Sequence, residues 1–319
     1  MEETGNTRRV LAVTGPTATG KTCLGVLLAR RLDGEVVSVD SMQVYRRMDI
    51  GTAKATAAER GGVPHHMLDV AEPGESYSVA RYVREAAACC EEIFARGRLP
   101  ILVGGTGLYL DSLLSGRDFA AGAPEDAVLR RALEAEYDRL GGPAFREQLR
   151  AVDPERAEKL APADRRRLVR AMEVFRLTGE TITAHDRKTA ALPPRYPSLK
   201  VALSFADREL LYRRIDRRVD EMAAQGLFQE VEALLAEGLG PQHTAMQAIG
   251  YKEPAAALQG VCTREEALEA IARESRRYAK RQLTWLRRDP AVRWLLWDGE
   301  TPDLDRAADT VARWFAEMP

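Results

Sequence analysis

Residues 15–22 read Gly-Pro-Thr-Ala-Thr-Gly-Lys-Thr, a Gly-x-x-x-x-Gly-Lys-[Ser/Thr] loop, and no other run constrains the fold as much. Before it, Val10-Leu11-Ala12-Val13 suits a buried strand; after it, Cys23-Leu24-Gly25-Val26-Leu27-Leu28-Ala29 suits a packed helix. A strand that turns through such a loop into a helix aims successive backbone N–H groups into a concavity at the positive end of the helix dipole, which is an anion site. Gly15, Pro16, Thr17, Ala18, Thr19 and Gly20 form the loop; Lys21 adds a point charge, and the Thr22 hydroxyl can ligate Mg²⁺. The chain is therefore expected to hold a phosphate chain. Whether the phosphates belong to a nucleotide is left open by the loop itself.

Further strand signals fall at Val36 to Val39, Leu99 to Val103, Val201 to Phe205 and Val292 to Trp297, mostly short apolar runs of the kind buried in a parallel sheet. Helical patterns lie between them; that of residues 79–97 has apolar residues at Val79, Tyr82, Val83, Ala86, Ala87, Cys90 and Phe94 and stops at Gly97. This alternation predicts an α/β fold, a P-loop NTPase-like parallel sheet flanked by helices. From about 118 to 198 the pattern changes to successive helices starting near Asp126, Pro143, Pro154 and Asp164. They are bounded by Gly116 to Gly122 and by Leu192-Pro193-Pro194-Arg195-Tyr196-Pro197. An all-helical insertion domain, 118–198, is expected within a core of 1–117 and 199–319.

With 319 residues and 45% hydrophobic content, the chain is long enough for two modest cores. No apolar run reaches the roughly 18 residues of a membrane span, and the first ten residues carry no signal-peptide pattern, so a cytoplasmic protein with no membrane partner is expected. Four cysteines without a CxxC pair argue against a zinc ribbon or a disulfide framework. The net charge of −1 argues mildly against nucleic acid, but Arg165-Arg166-Arg167, the Arg213-Arg214 and Arg217-Arg218 pairs, and Arg276-Arg277 with Lys280-Arg281 concentrate cations locally.

The second strand signal runs into Asp40-Ser41-Met42-Gln43-Val44-Tyr45. Ligands of open α/β sheets sit at the carboxyl ends of strands, so Asp40 is expected to share the crevice of the phosphate loop as a base or metal ligand, or else to cap a helix. Lys54 in Asp49-Ile50-Gly51-Thr52-Ala53-Lys54 is either a nearby cation or a solvated lysine. The third strand signal ends in Gly104-Gly105-Thr106-Gly107 and has no acid, which weakens the case for an ordinary ATPase. Thr106 either offers its hydroxyl to the site or caps the helix Leu108 to Leu114. His65 and His66 point apart in sequence with no acid or Cys cluster, so packing or a hydrogen bond is expected of them.

Taken in order, GPTATGKT at 15, DSMQVYRRMDIGTAK at 40, HHMLDV at 65, VGGTGLYLDSLL at 103, AMQAIGYKE at 245 and YAKRQLTWLRR at 278 resemble one family over nearly the whole chain, the bacterial tRNA dimethylallyltransferases, or tRNA isopentenyltransferases. The resemblance implies transfer of a dimethylallyl group from dimethylallyl diphosphate to the N6 amine of the adenosine 3′-adjacent to the anticodon (position 37), in tRNAs reading codons that begin with U. It implies that the phosphate loop grips the donor's diphosphate, with Mg²⁺ on Thr22. Asp40 is then the base and Thr106 a second catalytic residue. The pattern Leu-x-x-Arg-Ile-x-x-Arg assigns Arg214 and Arg218 to the diphosphate, with Arg213 and Arg217 solvated or salt-bridged. Asp40, Ser41, Met42, Gln43, Thr106, Val128, Asp164, Arg165, Arg166, Arg167, Leu168, Lys280 and Arg281 are the implied tRNA contacts, Gln43 as a reader of a base edge and Arg165 to Arg167 as phosphate contacts. The insertion becomes an anticodon-stem domain, and a monomer is expected. No C-terminal Cys/His cluster of the kind carried by eukaryotic members is present.

Three other functions share parts of this pattern. A P-loop small-molecule kinase would use the same loop, with Arg165 to Arg167 on a lid. An adenylate isopentenyltransferase would use the same donor on free AMP, without needing a domain that holds a stem. A nucleotide-dependent RNA-binding switch would not require Asp40 as a base.

Overall fold

The computed structural model describes residues 8–115, 126–190 and 192–318, so the expected boundary at Gly116 to Gly122 lies outside the described residues. The chain divides into two compact units, one of Met1–Leu114 with Tyr196–Pro319 and the other of Ser115–Arg195. Tyr196 belongs with the first unit because its hydroxyl donates to Glu91 Oε1 at 3.0 Å and its ring packs on Phe94; the division therefore falls a few residues before 198.

The first unit is built on six parallel strands: β1 (Val10–Thr14), β2 (Gly34–Val39), β3 (His65–His66), β4 (Leu99–Gly104), β5 (Ser198–Phe205) and β6 (Arg293–Trp297). Their order across the sheet is β3-β2-β4-β1-β5-β6, all pairs parallel, as expected of an α/β fold. β1 and β2 are buried at every position; β1 is an apolar run up to Thr14, whereas β2 also buries Glu35 and Ser38 among its valines. Leu11, Val13, Leu24, Leu28, Ile101, Val103, Val201, Leu203, Leu211 and Ile215 belong to one core between the sheet and its helices. Burying them at about 25 cal/mol per Å² of apolar surface supplies the main drive for this layer. Gly25 lets the Lys21–Arg31 helix lie close on the sheet, since a Cβ there would stand 2.6 Å from Val103 Cγ2.

β3 was not legible in the sequence. It has only two residues, both histidines, and forms at the sheet edge because Val36 and Val37 offer a register partner. His65 Nδ1 lies 2.9 Å from the Val63 carbonyl, and His66 Nε2 lies 2.6 Å from the buried Glu35 carboxylate, so both are used structurally. The Arg96 guanidinium beside Glu35 holds that carboxyl below its ordinary value against the opposing effect of burial.

The regular elements among the described residues of the second unit are helices: Ala127–Leu140, Gly142–Val152, Pro154–Lys159, Arg165–Thr178 and Ile182–Ala190. Its starts are written in the sequence: Asp126 accepts from the N–H groups of Val128 and Leu129, Asp153 from Arg156, and Asp164 from Arg167. Leu133, Phe145, Leu149, Leu160, Leu168 and Met172 form a separate small core. Among the described residues no helix of the protein is long and apolar enough to cross a membrane.

Candidate functional site

Three neighbouring strands, β2, β4 and β1, deliver their carboxyl ends side by side, and each ends in one of the segments singled out in the sequence. β1 opens into the phosphate loop, which depends on unusual backbone. Gly15 has φ +132 and lies against β5 so closely that a Cβ would stand 2.3 Å from the Leu203 carbonyl oxygen, while Ala18 and Gly20 have φ +64 and +89. These turns fold the loop back into a concave run of N–H groups. Its outer carbonyls are held: Thr19 Oγ1 donates to Pro16 O at 2.8 Å, the Trp297 indole donates to Thr19 O at 3.0 Å, and Arg214 Nε donates to Ala18 O at 2.9 Å.

Lys21 and Arg218 put positive charge against this loop. Lys21 Nζ donates to Pro16 O at 2.6 Å. Its pKa is lowered to about 7, chiefly by burial and then by Arg218, with Asp40 opposing the shift. Arg218 is lowered from its ordinary value by burial, again with Asp40 as the largest opposing charge, and its Nε is buried without a hydrogen-bond partner among the described residues. Asp40, Lys21 and Arg218 thus share one electrostatic field, in which the charged form of Lys21 is disfavoured by burial and by Arg218 until an anion joins them. Such a site favours an added anion. Arg214 also donates from Nη1 to Glu300 O at 2.9 Å. Arg213 and Arg217 face outward on the same helix, Arg208–Ala224, toward Glu300 and Glu221.

At the end of β2, no helix follows Asp40. Its Oδ1 accepts from the N–H groups of Met42 at 2.8 Å and Gln43 at 3.3 Å, closing a turn, so the helix-cap alternative does not apply. Thr106, at the end of β4, binds back across the cleft: its N–H donates to Val39 O at 3.1 Å and its Oγ1 accepts from Ser41 N–H at 3.1 Å. The hydroxyl is directed to the Asp40 turn and does not cap the Gly107–Leu114 helix, whose first N–H groups reach the Thr106 backbone carbonyl instead. The absence of an acid at this strand end has a steric cause. A Cβ at Gly104 would stand 2.1 Å from Val39 O, and one at Gly105 would stand 2.2 Å from Gln282 Nε2.

Sequence reasoning missed Tyr278 and Gln282, one helical turn apart on the Arg264–Leu286 helix. Gln282 Nε2 donates to Gly105 O at 2.8 Å. The Tyr278 phenol is pushed up to about 12, chiefly by burial and then by Asp40, with hydrogen bonding to Thr106 and Gln282 opposing the shift. Their i, i+4 spacing was a usable signal, but only the tertiary fold brings that helix face over the β4 turn. Trp285 continues the same helix; its indole donates to Asp111 at 2.7 Å and its ring lies on Gly107. Lys280 and Arg281 are exposed on this helix, Arg281 over the Tyr278 ring.

Two expectations change. Lys54 is not solvated: it is buried, and its Nζ is held by Tyr45 O of the Asp40–Tyr45 segment, Asp49 and Asp69. The Gln43 carboxamide is engaged within its own loop, with Ser38 Oγ at 3.2 Å and Thr52 O at 3.2 Å, so reading a base edge would require exchanging those bonds. Ser41, Met42 and Gln43 are half-buried at the turn.

In the helical unit, Val128 and Arg166 are exposed, Arg165 pairs with Asp138 over the Tyr137 ring, and Arg167 pairs with its helix cap Asp164. Leu168 is fully buried in that unit's core, where it contributes packing and presents no surface.

The chain is similar to known proteins over most of its length. The IPP transferase family model matches residues 43–289, and the Isopentenyl transferase model matches residues 8–71. The tRNA dimethylallyltransferase of Pelotomaculum thermopropionicum is 45% identical over 304 residues, covering 95% of each chain. The tRNA isopentenylpyrophosphate transferase structure from Bacillus halodurans is 42% identical, covers 97% of this chain and 96% of that one, and superposes with a TM-score of 0.72. The structure of a eukaryotic dimethylallyltransferase acting on tRNA is 28% identical, covers 98% of this chain and 80% of that one, and gives a TM-score of 0.82. The phosphate loop, the Asp40 turn and the acid-free β4 turn therefore stand in a chain that belongs to the IPP transferase family.

Proposed function

We propose that this protein transfers the dimethylallyl group of dimethylallyl diphosphate to the N6 amine of adenosine 37, next to the anticodon, in tRNAs reading codons that begin with U, giving N6-dimethylallyladenosine and diphosphate. The observation that carries this reading is the placing of a carboxylate, Asp40, in the field of the Lys21 and Arg218 cations, with the Thr106 hydroxyl alongside. A phosphate grip and a proton acceptor in one cleft suit displacement at carbon.

The donor's diphosphate lies along the N–H groups of residues 15–22, with Lys21, Arg214 and Arg218 around it. As the C–O bond breaks, these groups take up the negative charge passing to the leaving diphosphate, and the allylic carbon gains cationic character. The N6 nitrogen forms the new bond to that carbon and its proton passes to Asp40, whose Oδ2 accepts no hydrogen bond from the described residues. Thr106 holds the acceptor in line. Among the described residues no His, Cys, Asp or Glu group could hold a metal alone, and Thr22 is a single hydroxyl beside the phosphate site. That donor set fits Mg²⁺, which keeps several waters and relies on substrate phosphates. Bound there, the ion would neutralise charge on the leaving diphosphate.

On the acceptor side, an anticodon loop presents partly unstacked bases that enter such a cleft at low cost. Arg166, Lys280 and Arg281 supply exposed cations for backbone phosphates, and the helical unit holds the anticodon stem. The reaction needs one copy of the chain, in a cytoplasmic setting where tRNA is available.

The test supplies purified protein with Mg²⁺, labelled dimethylallyl diphosphate and either an anticodon stem-loop or free AMP. Label is expected on the RNA adenosine. Transfer to AMP alone would replace this reading with the adenylate isopentenyltransferase one, for which the Isopentenyl transferase match over residues 8–71 is the favouring observation. Asp40→Asn should lower turnover by about 100-fold, within the usual contribution of a general base, while diphosphate affinity stays near that of the parent; an unchanged rate removes Asp40 as the base.

A further inference from the structure

The segment that follows the Asp40 turn is anchored by a carboxylate from far along the chain. Glu230, in the first turn of the Leu227–Ala236 helix, accepts four hydrogen bonds. Its Oε2 receives the N–H groups of Asp49 at 3.0 Å and Ile50 at 2.8 Å, and its Oε1 receives Gly51 N–H at 3.1 Å and the Tyr251 hydroxyl at 2.6 Å. Three successive N–H groups converging on one point form an anion nest. Here the anion is the chain's own side chain, and charge-assisted bonds of this kind are stronger than neutral ones. Tyr251 is fully buried, and the backbone of Gly51 lies flat on its ring, where a Cβ would stand 2.4 Å from Cε2.

From this anchor a short route leads to the reacting carboxylate. Thr52 O accepts from Gln43 Nε2 at 3.2 Å, and Gln43 N–H donates to Asp40 Oδ1 at 3.3 Å. Lys54 ties the other side of the same turn to Asp49 and to Tyr45 O, so the segment has few ways to shift without losing the Glu230 bonds.

We propose that Glu230 is a positioning residue for the transfer: it fixes the 49–52 turn and, through Gln43, sets the direction in which Asp40 meets the acceptor amine. The inference rests on the transferase reading above. It assigns Glu230 no role at the phosphate loop, which is held instead by Arg214, Trp297 and the loop's own glycines.

Glu230→Gln in the full-length protein is the test, because it keeps shape while turning an amide N–H₂ toward groups that are themselves donors. The expected result is a loss of about 100-fold in kcat for transfer to an anticodon stem-loop, the size of effect that follows from misplacing a reacting group by about 1 Å. Inorganic pyrophosphate should bind the variant as it binds the parent, and amide exchange at residues 49–51 should speed up. Adding Gln43→Ala should cost no more than either change alone, since both act on one route. Full additivity, or an equal fall in pyrophosphate affinity and melting temperature, would make Glu230 a general support and overturn the proposal. Unchanged turnover in the variant, with normal transfer by the parent, would overturn it alone. A parent that binds pyrophosphate yet transfers to no RNA would overturn the acceptor reading and Glu230's role with it.

Discussion

The ionisation of Lys21 provides a quantitative test of the phosphate grip. Its pKa falls from 10.5 to about 7, first through burial and then through Arg218. At pH 8 about nine tenths of the ligand-free protein therefore carries a neutral amine at this position. A diphosphate bound against Lys21 favours the charged form, so binding at pH 8 should draw in about nine tenths of a proton, falling to about half at pH 7 and less below it. Apparent affinity should fall with pH above 7 with a slope approaching about tenfold per unit. The sign for stability is also determined: the unfolded lysine holds its proton up to about pH 10.5, so between pH 7 and that value the unfolded chain binds more protons, and Lys21 makes the ligand-free protein more stable as pH rises. Titration calorimetry of dimethylallyl diphosphate in buffers of different ionisation enthalpy measures the uptake directly, and Lys21→Met separates it from ionisation of the ligand. Asp40 opposes the lysine's shift, so Asp40→Asn should move the midpoint to lower pH. An enthalpy that does not depend on the buffer at pH 8, or an affinity flat between pH 7 and 9, would refute the reasoning.

Gly15→Ala places a Cβ 2.3 Å from Leu203 O in a backbone with φ +132, and should cost a few kcal/mol (~1–3 from the backbone alone) along with measurable diphosphate binding. Wild-type affinity in that variant would mean the loop geometry is not what binds. Arg214→Gln removes the bonds to Ala18 O and Glu300 O and should weaken diphosphate binding by roughly tenfold or more, as expected for hydrogen bonds from a charged donor. Arg213→Gln breaks an exposed pair and should change binding and stability by no more than about 0.5 kcal/mol; equal effects of the two changes would contradict the assignment. Phe145→Ala should destabilise the helical unit by about 3–5 kcal/mol. RNA affinity should fall in a filter-binding assay while diphosphate affinity persists, and loss of both together would argue against independent roles for the two units.

Much of the sheet was legible because buried strands carry short apolar runs, as Val10 to Val13 and Val36-Val37 do. The helical unit was legible for a different reason: Asp126, Asp153 and Asp164 satisfy the first N–H groups of their helices by local chemistry that depends on nearest neighbours alone. β3 escaped notice because two histidines at a sheet edge gain their strand from the partner and not from their own pattern. The choice between the two readings of Lys54 was not legible because its burial depends on Asp69 and on a carbonyl of Tyr45, contacts that composition does not encode.

The phosphate loop was determined by sequence alone, since strand, glycines, lysine and helix are contiguous and their geometry follows from local backbone preferences. That Asp40 shares the crevice of the phosphate loop followed already from its place at a strand end, whereas its coupling to the buried Arg218 was decided by tertiary structure, which brings together residues far apart in the chain. The same holds for the bonds of Gln282 to Gly105, Trp297 to Thr19 and Glu230 to the 49–51 turn. Those bonds connect elements whose mutual approach is driven by burial of the common core, and no local signal in either partner specifies the other.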